Sequence, residues 1–158
     1  LDIKTELIKP LNKIFTDDNI LYTVLSINNG TVYQGVISSP PKNPIFLDLI
    51  EYILNIGKNY NYLIFTKNFY DKIKDYCGDV QVGLNKNIKN DIDIYLFTEG
   101  CSNKDNTNIK KSNLWNINGE KFKKGKCISL DKYGFCCYIY HNNLPIIKVR
   151  YDDFGIKW

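Results

Sequence analysis

Residues 21–38 read LYTVLSINNGTVYQGVIS, and this stretch decides the architecture. Two runs rich in β-branched and aromatic residues, 21–27 and 31–38, flank Asn28, Asn29 and Gly30. Asn and Gly tolerate the positive φ that a tight connection needs, so the stretch predicts two strands joined by a turn. Working outward on the C-terminal side, Phe46, Leu47, Leu49, Ile50, Ile53 and Leu54 recur at helical spacing within residues 44–56. Pro44 suits the first turn of a helix and Gly57 its end, so an amphipathic helix follows the strands.

A second helix is expected over 68–76, closed by Gly78, with Tyr62, Leu63, Ile64 and Phe65 readable either as a short strand or as the helix entry. Residues 92–97 alternate and then run apolar, which predicts a strand that delivers Glu99 at its exit. The Asn-rich stretch 101–111 has no periodicity and reads as a loop. Beyond it a β-meander is expected: 114–117 and 120–122 around Asn118-Gly119, then 135–140 and 146–151 joined across 141–145. On the N-terminal side, Leu1, Asp2 and Ile3 have the look of a strand end, and residues 10–15 form a short helical turn opened by Pro10. No repeat of about 20–50 residues is apparent.

The chain of 158 residues, 44% of them hydrophobic and 14% aromatic, suits one packed domain. Its formal charge of +4 comes from 21 basic and 17 acidic residues, but Arg150 is the only arginine and the lysines are scattered. Nucleic-acid binding wants basic residues clustered with aromatics, and only the stretch from Lys121 through Phe122 to Lys126 approaches that; a solvated loop or edge strand is the plainer reading. No apolar run approaches the roughly 20 residues of a membrane span. Five cysteines (Cys77, Cys101, Cys127, Cys136, Cys137) form an odd set without a C-x-x-C pair, which favours free buried thiols in a reducing compartment over zinc or a disulfide framework.

The common phosphate and zinc signatures are missing. His141 is the only histidine, and its place at a turn tip argues against a catalytic role, because a catalytic imidazole needs an orienting partner. Asp91 and Asp93 would face solvent on a half-buried strand. Asn29-Gly30-Thr31 matches a glycosylation acceptor, a cheap match in so Asn-rich a chain. Asp2, by contrast, closes an apolar strand where open α/β sheets bind ligands.

Two ordered stretches carry a resemblance. Residues 1–11, LDIKTELIKPL, resemble the segment around the D-x-D motif of glycosyltransferases with a D-x-D sugar-binding region, the Och-type α-1,6-mannosyltransferase family: Asp2 matches the first acidic position and Pro10-Leu11 a later Pro-Leu pair. Downstream, 35–47 (GVISSPPKNPIFL) resembles the strand, small-residue step and helix entry of the same family. The tail from Asp131 to Trp158 is similar to those of members from large DNA viruses of protists, which would place the protein in host cytoplasm or virion.

The resemblance implies an α/β fold, the C-terminal part of a GT-A domain with a mixed sheet, two main helices and a C-terminal β-meander, occupying residues 1–158 as one domain or domain fragment. It implies a hexosyltransferase that uses a nucleotide-sugar donor, a glycan or protein acceptor, and a divalent cation, Mn²⁺ or Mg²⁺. A hard cation held by carboxylate oxygens stabilises the charge that develops on the leaving diphosphate. Asp2 would hold cation or donor, Lys4 and Trp158 would contact the donor, and Tyr33, Gln34, Gly35, Ser38, Ser39 and Glu99 would line the sugar and acceptor cleft. The N-terminal, nucleotide-binding half of the domain is expected before Leu1. Lys4 stands where the family has its second acid, and an ammonium cannot ligate a cation. Three readings stay open: Asp2 holds the cation with water and phosphates, Lys4 itself neutralises the diphosphate, or the fold is a non-catalytic carbohydrate- or protein-binding module.

Overall fold

The computed structural model describes residues 5–26, 30–103, 135–142 and 144–149. Its seven strands are β1 (Thr5–Leu7), β2 (Leu21–Leu25), β3 (Val32–Ser38), β4 (Gly83–Asn85), β5 (Ile94–Asn103), β6 (Phe135–His141) and β7 (Leu144–Val149). Two helices, α1 (Ile45–Ile56) and α2 (Tyr62–Cys77), lie between β3 and β4 in the chain. All strands join one curled mixed sheet in the order β1-β7-β6-β5-β2-β3, with β4 paired to β5. The α/β class, the mixed sheet, the two helices and the C-terminal strands therefore stand as expected.

The hairpin over 21–38 is present. β2 and β3 pair antiparallel, and the Ser26 N–H donates to the Thr31 carbonyl at 3.1 Å beside Gly30, whose φ is +71°. What the sequence did not announce is an irregularity inside β3: Val24 faces Tyr33, yet Tyr22 faces Ser38. Extra β3 residues bulge out there, and a bulge bends its strand and strengthens its twist.

β2 is buried along its whole length because both of its faces are covered. On one face Leu21 and Leu25, with Ile94 and Leu96 of β5, pack against Ile45 and Leu49 of α1 and Phe69, Ile73 and Tyr76 of α2. On the other face Tyr22, Val24 and Phe97 meet Ile139, Ile147 and Val149 from the curled-over C-terminal strands, together with Ile14. The sheet thus has a helical layer on one side and its own curvature on the other.

α1 begins after Pro44 and ends at Gly57, as its pattern predicts; Gly57 has φ +56° and its N–H reaches the Ile53 carbonyl. Asn43 supplies the start, its Oδ1 accepting from the Ile45 N–H at 3.2 Å while its Nδ2 donates to Ser39 Oγ. α2 is six residues longer at its start than expected. Asn61 caps it by accepting the Ile64 N–H at 3.0 Å, so residues 62–65 are helix entry and not strand.

Two further expectations are corrected. β5 runs on to Asn103, through residues read as the start of a loop, because Thr98–Asn103 find a partner in β6. β7 begins two residues early, with Pro145 opposite Tyr140 at a register shift, so the connection after His141 is tight and Asn142 adopts φ +50°. β4 had no visible signature. The expected strand ending at Asp2, the strands over 114–117 and 120–122, the basic stretch Lys121–Lys126 and the tail with Arg150 and Trp158 lie outside the described residues.

Candidate functional site

The only parallel neighbours among the described strands are β2 and β5, in register from Leu21 opposite Ile94 to Leu25 opposite Thr98. The residue that follows each pair end is polar: Ser26 after β2, Glu99 on β5. Alternation along the strands puts Tyr22, Val24 and Ser26 in one column and Tyr95, Phe97 and Glu99 in the next, both on the face away from the helices. Ser26 Oγ donates to Glu99 Oε2 at 3.0 Å, and Glu99 is only 2% exposed. A carboxylate is rarely this deep unless hydrogen-bonded. Here the bond ties the connection between β2 and β3 to the exit of the parallel pair, the end of a sheet where ligands bind in open α/β folds.

Glu99 faces Ile139 across the β5–β6 ladder, and His141 is the next residue on that face of β6. His141 is no solvent-exposed turn tip: its ring stands edge-on to Tyr95 at 5.4 Å and to Phe97 at 5.7 Å. Burial, aided by the Lys9 charge, pushes its pKa below the ordinary value. Phe15, Tyr22, Tyr95 and Phe97 complete an aromatic cluster in which Tyr22 OH accepts the Asp17 N–H at 3.0 Å. Burial raises the Tyr95 pKa, with the neighbouring Tyr22 adding to it.

The cleft residues named from the sequence separate into two groups. Tyr33 is 5% exposed and belongs to the core, opposite Val24 and thus near the Ser26 end of the sheet. Gly35 carries the Tyr33 ring: a Cβ at position 35 would overlap it, so the glycine is explained by packing. Gln34 Oε1 is buried and has no hydrogen-bond partner among the described residues. Ser38 sits opposite Tyr22, and Ser39 Oγ donates to the Pro40 carbonyl and accepts from Asn43. From Tyr22 to Ser26 the strand rises about 13 Å, so Ser38 and Ser39 lie at the far end of the sheet from Glu99. Asp2, Lys4 and Trp158 lie outside the described residues.

Among the described residues no three His, Cys, Asp or Glu side chains come together to hold a metal ion, and no helix is long and apolar enough to cross a membrane. Asp93 accepts from Lys86 Nζ and from the Asn87 N–H at 3.1 Å, contacts that pull its pKa down and shape the turn before β5; Asp91 is exposed. Cys77 is a free thiol, raised to about 11 first by burial and then by the Asp93 charge, so it is protonated and unreactive near neutral pH. Cys137, expected as a free thiol, is disulfide-bonded.

Sequence reasoning found Glu99 but missed its partner. The available signal was Ser26, a small hydroxyl near the end of the run 21–27 that leads into Asn28-Asn29-Gly30. Compared with known proteins, the chain matches no protein-family model, no curated protein and no solved structure.

Proposed function

We propose that this chain handles a hexose carried on a nucleoside diphosphate, and that it contributes to transfer of that hexose to a glycan or protein acceptor. The observation that carries the reading is the buried Glu99 carboxylate, held by Ser26 at the carboxyl end of the parallel strands β2 and β5. It is joined by the resemblance of residues 1–11 and 35–47 to D-x-D glycosyltransferases. In this reading the Ser26–Glu99 pair lies beneath the sugar or acceptor cleft and fixes the exit of the parallel strands that border it; buried as it is, the carboxylate acts through those strands and not by touching the sugar. Asp2 would hold a divalent cation, which when bound offsets the charge on the departing diphosphate. Lys4 would lie against the same phosphates.

The test is isothermal titration of the chain with nucleoside diphosphates and nucleotide sugars, with and without Mn²⁺ or Mg²⁺. Cation-dependent binding is expected, abolished in Asp2→Ala and weakened by about tenfold or more in Glu99→Gln, which keeps an oxygen for Ser26 but loses the charge. Absence of binding, with Lys4→Asp failing to create it, removes the enzyme reading. A second reading, a carbohydrate- or protein-binding module without turnover, is favoured by Lys4 at the second acidic position. Binding of free glycans without hydrolysis or transfer would select it.

A further inference from the structure

Cys137 is disulfide-bonded, and the sheet indicates to what. Cys77 is a free thiol. Position 136 is its neighbour along β6, and alternation places it on the opposite face, so the two do not meet on an extended strand. Cys127 lies outside the described residues. Cys101 stands directly opposite Cys137 in the antiparallel β5–β6 ladder. Residues so paired have Cα atoms about 4.5–5.5 Å apart, within the roughly 4.4–6.8 Å that a disulfide spans.

We propose that the bond joins Cys137 to Cys101 and staples the segment of β5 that carries Glu99. Glu99 pairs with Ile139 two positions before Cys101 pairs with Cys137, so alternation puts both pairs on one face of the sheet. That segment has little else to hold it. β2 accompanies β5 only as far as Leu25 opposite Thr98, and from Glu99 to Asn103 its strand neighbour among the described residues is β6. A covalent bond there closes a segment of about 35 residues, long enough for loop-closure entropy to weigh heavily in the unfolded chain. The bond forms by exchange: two cysteine thiols and one disulfide of an oxidant give the new Sγ–Sγ bond and two thiols of the oxidant, so electrons and protons balance. Cys137 is 3% exposed, which shelters the finished bond from attacking thiols until β6 opens. It is therefore a lock set during folding, and it frames the candidate site whatever that site binds.

Peptide mapping tests the pairing on the chain as it stands, purified without reductant and with free thiols blocked by N-ethylmaleimide before unfolding. Trypsin should release 90–104, which contains Cys101, cross-linked to 133–148, which contains Cys136 and Cys137, and should release 127–132 with Cys127 unlinked. The link should survive in Cys136→Ser and vanish in Cys137→Ser. A link from 127–132 to 133–148, or three unlinked peptides, overturns the pairing. Amide exchange reads the mechanical role. Cys101→Ser should speed exchange across 99–103 by at least about tenfold, leave α1 and α2 much less changed, and lower Tm by about 5–10 °C. Equal exchange across 99–103 with and without the bond overturns the staple.

Discussion

Gly35 and Tyr33 show how a single residue can pass for a site. From the sequence they belong to a stretch that resembles a sugar cleft; in the structure the Tyr33 ring lies flat over the bare backbone of Gly35, two positions along the same strand. A methyl group at position 35 would stand within 2.6 Å of Tyr33 Cε1, so the ring must leave its place in the core. Gly35→Ala should therefore destabilise the chain by about 1–3 kcal/mol, the range for overpacking a fitted core. Denaturant melts of Gly35→Ala, Tyr33→Ala and the double variant check it. Once the ring is gone the alanine should cost little, so the two changes should fall short of additive. Full additivity would mean the two residues do not meet as described.

At the scale of elements, α1 was legible to within a residue because its signals are local: a proline in the first turn, a glycine at φ +56° after the last, and apolar spacing between. α2 was legible only in its C-terminal part. Its first turn, YLIF, is apolar on all sides and contains no periodicity to distinguish helix from strand, and the deciding residue is the cap Asn61. Removing that cap by Asn61→Ala leaves the Ile64 N–H without its acceptor and should cost about 1 kcal/mol. Amide exchange should then speed up first in the opening turn of α2, with its later turns, anchored by Phe69 and Ile73, much less affected. β5 was cut short for the opposite reason: Cys101, Ser102 and Asn103 carry no strand pattern of their own and are extended because β6 pairs with them. Such pairing is non-local, and the local sequence does not encode it.

For the whole molecule the same distinction decides what was visible. The hairpin, both helices and the final strands follow from short-range chemistry, whereas the parallel match of β2 to β5 joins segments separated by two helices, and the Ser26–Glu99 bond spans 73 positions. Half of the candidate site was thus readable as a residue and none of it as a geometry. His141 is the other long-range contact that local reading missed, because it is the non-local pairing of β6 with β5 that sets His141 beside Phe97 and Tyr95. It gives the fold a pH dependence whose direction follows from linkage. The folded environment lowers the His141 pKa below 6.5, chiefly by burial and secondarily through Lys9, so the unfolded chain takes up the proton first as pH falls. Stability should therefore be full above about pH 6.5 and decline as the pH drops through that value toward the lowered folded pKa. Urea midpoints measured from pH 8 down to pH 5 should fall for the parent chain. His141→Phe keeps an aromatic edge against Tyr95 and Phe97 but has nothing to protonate, so its midpoint should change less over the same interval. An equal fall in both proteins would assign the acid sensitivity to other groups and leave the imidazole as packing alone.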